Sequence, residues 1–149
     1  MPIAIHLRLP REAISVTVSR QVIRHALTVI GVTEQVRDDV ELALSEACGN
    51  AVQHAHDSTE YDVCASIDDD LCVVDVVDGG DLIDRDRIAL RPGPAASGDA
   101  LAESGRGLHI IRTLADNVRV QLNPLRGLAV HFEKRLVRSA GSPVLRGAV

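Results

Sequence analysis

Three short stretches of this chain carry residue types able to handle a nucleotide. In the first, running from Glu41 to His54, the residues Glu46, Asn50 and His54 recur every four positions. On a helix they would line one face in successive turns. A carboxylate one turn from a carboxamide suits a magnesium–nucleotide site. The Asn50 oxygen is a hard ligand for a cation that completes its shell with water and phosphate, and Glu46 is of the type that orients or deprotonates an attacking hydroxyl. A solvated polar helix face would use the same residues, and the row alone does not separate the two. The second stretch, Val74 to Gly80, is an apolar strand ending in Asp78, Gly79 and Gly80. Asp78 is suited to accept from an exocyclic amine, and Gly80 lets the backbone approach a flat ring. An ordinary Asp-Gly turn is the alternative. The third stretch is Ser104-Gly-Arg-Gly-Leu-His-Ile-Ile. Gly105 and Gly107 open a helix whose free N–H groups favour an anion, and Arg106 adds a fixed positive charge suited to phosphate.

The elements that must position these residues follow from periodicity. Ile3, Ile5, Leu7 and Leu9 alternate as a half-buried strand that Pro10 ends. Val18, Val22, Ile23, Ala26, Leu27 and Ile30 predict a helix closed by Gly31. A second helix begins after Thr33, with Val36, Val40, Ala43, Leu44, Ala47, Ala51 and Ala55 as its apolar stripe. Two strands, Tyr61–Ile67 and Leu71–Val77, flank a turn of three aspartates. A long glycine- and proline-rich segment from about Gly79 to Arg106 reads as a lid, with a short helix near Asp86 to Leu90. Leu108, Ile111, Leu114 and Ala115 mark another helix, and Asn117–Leu122 and Leu128–Leu136 the last two strands. This order predicts an α+β, two-layer sandwich, with helices on one face of a mixed, mostly antiparallel sheet. One domain over residues 1–136 and a flexible tail over 137–149 are expected.

Composition removes several classes. With 149 residues there is room for one domain, and a 46 % apolar content supports a core built from aliphatic residues, since there is one Phe, one Tyr and no Trp. A net charge of −5 without a basic block argues against direct nucleic-acid binding. No run approaches the roughly 18 apolar residues of a membrane span, so a cytoplasmic protein is expected. Cys48, Cys64 and Cys72 form no CxxC pair and read as reduced packing residues. His54 and His56 come without convincing further zinc ligands. There is no P-loop motif, and Lys134, the only lysine, falls in the last strand. The lysine and HRD signatures of eukaryotic-type kinases are also missing.

Together the three stretches resemble the Bergerat-fold ATPases, the group of gyrase, Hsp90, histidine kinases and MutL. Within that group they resemble most the anti-sigma-factor serine kinases of the RsbW type. ELALSEACGNAVQHA is similar to that family's N box, VVDVVDGG to its first glycine box and SGRGLHIIRTLADNV to its second. The resemblance implies Glu46 as general base, Asn50 as magnesium ligand, Asp78 with Gly80 at the adenine, and Gly105, Arg106 and Gly107 closing on the phosphates of ATP. It also implies a sigma factor and a STAS-domain anti-anti-sigma protein as partners, with many members forming homodimers. Two departures stand out: Leu82 replaces a further glycine, and Leu128-Ala129 follows Gly127 where the family commonly has Gly-Thr. A module that regulates by binding alone, with weak or no catalysis, would carry the same boxes.

Overall fold

The computed structural model describes residues 2–53, 59–78, 105–123, 127–143 and 145, with side chains at 105, 106, 122, 123 and 127 left aside. His54, His56, Gly79, Gly80, Leu82 and the short helix expected near Asp86 to Leu90 lie outside the described residues. The elements are β1 (Ile3–Pro10), α1 (Ala13–Val29), α2 (Glu34–Gln53), β2 (Glu60–Ile67), β3 (Leu71–Asp78), α3 (Gly105–Leu114), β4 (Asn117–Asn123) and β5 (Gly127–Arg135). The strands form one sheet in the order β1-β2-β3-β5-β4. Every described pairing is antiparallel, with Ile3 opposite Ile67, Tyr61 opposite Asp78, Val74 opposite Phe132 and Val118 opposite Phe132 on its other side.

Period-two alternation sorts the sheet into two unlike faces. Tyr61, Val63, Ala65, Ile67, Cys72, Val74, Val76, Val130 and Phe132 point to the helices and join Ile23, Leu27, Val40, Leu44 and Ile111 in one core. The opposite face is polar. Asp62 is 2 % exposed and accepts from His6 Nε2 at 2.7 Å and from Arg8 Nε at 3.2 Å. Asp75 Oδ1 meets His131 Nδ1 at 2.7 Å, with Arg119 against the other ring nitrogen. Buried carboxylates there meet charged or hydrogen-bonding neighbours, as burial away from water demands.

α1 departs from the expected stripe in its first half. Its buried positions are Ser15, Ser19, Ile23 and Leu27, whereas Val18 and Val22 are exposed. The two serines are tolerated inside because each hydroxyl is satisfied. Ser15 Oγ donates to Glu12 O or shares a proton with Tyr61 Oη at 2.6 Å, and Ser19 Oγ donates to Val16 O. Cys48, Cys64 and Cys72 are buried and form no disulfide among the described residues. Desolvation pushes the Cys48 thiol up to about 11 and the Cys72 thiol up to about 12, so neither is a nucleophile at neutral pH.

α2 begins directly after Thr33 and buries Val36, Val40, Ala43, Leu44, Ala47 and Ala51, the expected stripe as far as it is described. It lies between α1 and α3. In the hairpin between β2 and β3, Asp68 Oδ1 accepts from the N–H groups of Asp70 and Leu71, each at 2.8 Å, which is the turn chemistry expected of an aspartate run. After β5 the chain runs beside the α1–α2 connection. Thr33 N–H donates to Val137 O, Ser139 N–H to Gly31 O, and Arg138 binds both Asp69 and Ile30 O. Among the described residues no helix is long and apolar enough to cross a membrane.

Gly31 closes α1 at φ +83°, with Val32 N–H reaching back to Leu27 O at 3.0 Å. A Cβ at this position would be strained and would collide with Ser142. Gly31→Ala is expected to lower stability by about 1–3 kcal/mol, read as a drop in urea midpoint at constant slope.

Candidate nucleotide site

The site is built where α2, α3 and the end of β3 approach one another. Four-residue spacing places Glu46 and Asn50 on the same side of α2, and Asn50 is 7 % exposed. α3 supplies the other wall. A methyl group placed on Gly107 would sit 3.2 Å from Glu46 Oε2 and 3.3 Å from both Oδ1 and Nδ2 of Asn50. Gly107 thus leaves room for the Glu46 and Asn50 heads against the first turn of α3. The first turn of α3, which starts at Gly105, carries the positive end of the helix dipole. A carboxylate, a carboxamide and an anion-attracting helix start therefore converge, as the sequence spacing alone could not show.

Asn50 bears on whether a magnesium ion fits. Its Nδ2 is buried and has no hydrogen-bond partner among the described residues. Its carboxamide oxygen is a hard donor, and Glu46 offers carboxylate oxygens beside it. No group of three or more His, Cys, Asp or Glu suited to a metal lies among the described residues. The donor set fits a cation that draws most of its shell from phosphate and water rather than from a protein cage.

Asp78 ends β3 at 1 % exposure. Its Oδ1 is paired with the guanidinium of Arg11, and Oδ2 is buried without a hydrogen-bond partner among the described residues. Arg11 follows the last residue of β1, and its Nη1 also donates to Ala51 O at 2.9 Å. That carbonyl lies in the last described turn of α2. Burial pulls the Arg11 guanidinium below its ordinary value through desolvation. Arg11 is the site residue that sequence reasoning missed. A single arginine after a strand-ending proline carries no motif, and its partners are brought together only by the fold. Of the expected residues, the Glu46 and Asn50 heads both lie beside Gly107, Asp78 pairs with Arg11, and Gly105 and Arg106 have backbone in the first turn of α3. The Arg106 side chain and Gly80 lie outside what is described.

Gly107→Ala tests the close approach directly. The added methyl forces Glu46 and Asn50 to shift by a few tenths of an ångström, while alanine favours the helix over glycine. Phosphate transfer is expected to fall about tenfold, with stability changed by less than about 1 kcal/mol; parallel kinetic and thermal measurements separate the two.

This arrangement, helices packed on one face of an antiparallel five-stranded sheet, is that of the Bergerat ATP-binding fold. Residues 9–134 match the histidine kinase-like ATPase domain family, and the chain belongs to that family. The serine-protein kinase RsbW of Bacillus velezensis is 35 % identical over 138 residues, covering 89 % of this chain and 85 % of its own. RsbW of Bacillus subtilis is 34 % identical over 123 residues, or 78 % of this chain and 77 % of its own. At that identity and coverage, the chain is a member of the RsbW serine-protein kinases. A solved structure of the RsbU and RsbW domains of a Mycobacterium tuberculosis protein has a TM-score of 0.68 and 20 % identity over 95 % of this chain. That likeness shows the fold, and this chain spans 35 % of the longer one.

Proposed function

We propose that this protein transfers the γ-phosphoryl group of ATP to a serine or threonine of a STAS-domain anti-anti-sigma protein, and that it sequesters a sigma factor when that antagonist is absent. The observation that carries the reading is the meeting of Glu46, Asn50 and Gly107 at the start of α3. In phosphoryl transfer the protein supplies position and charge more than covalent chemistry. Glu46 orients the acceptor hydroxyl and takes its proton as the oxygen attacks. The Asn50 oxygen holds a magnesium ion, which when bound neutralises charge on the phosphates. Gly105, Arg106 and Gly107 receive those phosphates through backbone N–H groups and the Arg106 guanidinium. Asp78, with Gly80 beside it, accepts from the exocyclic amine of adenine. Residues 1–136 form the catalytic unit, which works in the cytoplasm as a homodimer, without touching nucleic acid or membrane.

The test is incubation of the purified chain with labelled ATP, magnesium and a STAS-domain protein, followed by acid- and base-stability analysis of the product. Acid-stable phosphoserine or phosphothreonine on the partner supports the reading. Nucleotide binding with no transfer supports a regulator that acts by binding alone. No binding of ATP or ADP at millimolar concentration defeats both.

A further inference from the structure

The contact between Arg11 and Asp78 links three parts of the fold that are distant in sequence. The Arg11 N–H donates to Thr59 O at 3.0 Å, which ties the corner between β1 and α1 to the start of β2. Its side chain, only 6 % exposed, then bridges the last turn of α2 at Ala51 O and the last residue of β3 at Asp78. Ala51 immediately follows Asn50. A single guanidinium thus connects the backbone next to the carboxamide of the phosphate end with the carboxylate of the base end. Arginine suits this place because its planar fork donates in fixed directions to two acceptors at once, which a lysine ammonium does not reproduce.

Two physical consequences follow for the carboxylate. A carboxylate taken out of water without a counter-charge tends to take up a proton, and the resulting O–H would meet an amine donor with another donor. A cation in contact with Oδ1 keeps the group ionised and acceptor-only. The same ion pair also biases the rotation of the carboxylate plane: both oxygens are buried without a hydrogen bond among the described residues, but only Oδ1 meets the guanidinium, which makes Oδ2 the oxygen left over for a ligand.

We propose that Arg11 is a positioning residue that sets base specificity. By pinning Oδ1 of Asp78 and leaving Oδ2 as a single charged acceptor, it makes the pocket select a purine bearing an exocyclic amine over one bearing a carbonyl at that position. The proposal rests on the reading of Asp78 as the base-binding carboxylate.

The experiment uses the full chain and compares dissociation constants for ATP and inosine triphosphate, which has a carbonyl where ATP has the amine. Four proteins are needed: wild type, Arg11→Ala, Arg11→Lys and Asp78→Asn, with thermal melts to confirm folding. The wild type binds ATP more tightly than the inosine nucleotide. In Arg11→Ala, ATP binding weakens about tenfold with little change for inosine triphosphate, so the ratio collapses toward one. Arg11→Lys restores part of the ratio. Should Arg11→Ala fail to fold, Arg11→Gln replaces it, with the same collapse expected because one amide cannot serve both acceptors as a cation. An unchanged ratio in the folded variant, an equal loss for both nucleotides, or tighter ATP binding overturns the proposal. If Asp78→Asn removes the preference while Arg11→Ala leaves it intact, only the role of Arg11 fails. If Asp78→Asn leaves the preference intact, the base-site reading itself fails and takes the proposal with it.

Discussion

Glu46→Gln should bind ATP within about twofold of the wild type and transfer phosphate about 10²–10⁴-fold more slowly, the usual size of a lost general base. The substitution keeps the shape of the side chain and its place against Gly107, where the Glu46 Oε2 atom lies in contact range. It removes the negative charge that draws the acceptor proton. The loss should therefore appear in the rate of a single turnover at saturating ATP and partner, with nucleotide affinity measured separately. A variant that loses ATP binding and transfer in equal proportion would instead make Glu46 a binding residue. A variant that transfers at the wild-type rate would remove it from the chemistry altogether.

Leu44→Ala carries the largest expected effect on stability. Leu44 is completely buried in the core, on the side of α2 turned away from Glu46 and Asn50. Deleting its branched end removes apolar contact and leaves a cavity, a change that costs about 2–5 kcal/mol in comparable cores. Against a total of about 5–15 kcal/mol for an ordinary domain this is a large share. The melting temperature should fall by on the order of 10 °C. Below the new transition, transfer should remain within severalfold of wild type, because the site face of α2 is untouched. An unchanged melting temperature would mean that Leu44 does not sit in the core as described.

Much of this fold is readable from the chain because its elements keep clean periods. The alternation of Ile3, Ile5, Leu7 and Leu9 and the apolar run from Leu71 to Val77, broken only by Asp75, both form strands. The start after Thr33 and the apolar stripe of α2 fix the helix that carries Glu46 and Asn50. Reading failed on α1, where Val18 and Val22 look like core residues and are exposed. Apolarity alone cannot tell a buried serine from a surface one, and Ser15 and Ser19 go inside because their hydroxyls find partners there. The site divides in the same way. Glu46 and Asn50 are legible as an i, i+4 pair on one helix, and Gly107 as the start of another. Their contact belongs to the packing of α2 on α3, which no local pattern encodes. The pairing of Arg11 with Asp78 is less legible still, since it joins the ends of the first and third strands.

The strand order also governs how the cleft comes into being. β2 pairs with β3, and β4 with β5, so each pair closes on its nearest neighbour along the chain. β1 instead finds its partner on the far side of two helices, with Pro10 opposite Glu60 and Ile3 opposite Ile67, and β3 meets β5 over a like separation, with Leu71 opposite Arg135. Such distant pairings bear the greater entropic cost of loop closure and form late. Because Arg11 follows β1 directly, its bridge from Ala51 O to Asp78 arrives only once β1 has paired, and a chain still lacking that long-range pairing leaves the end of α2 and the end of β3 unlinked.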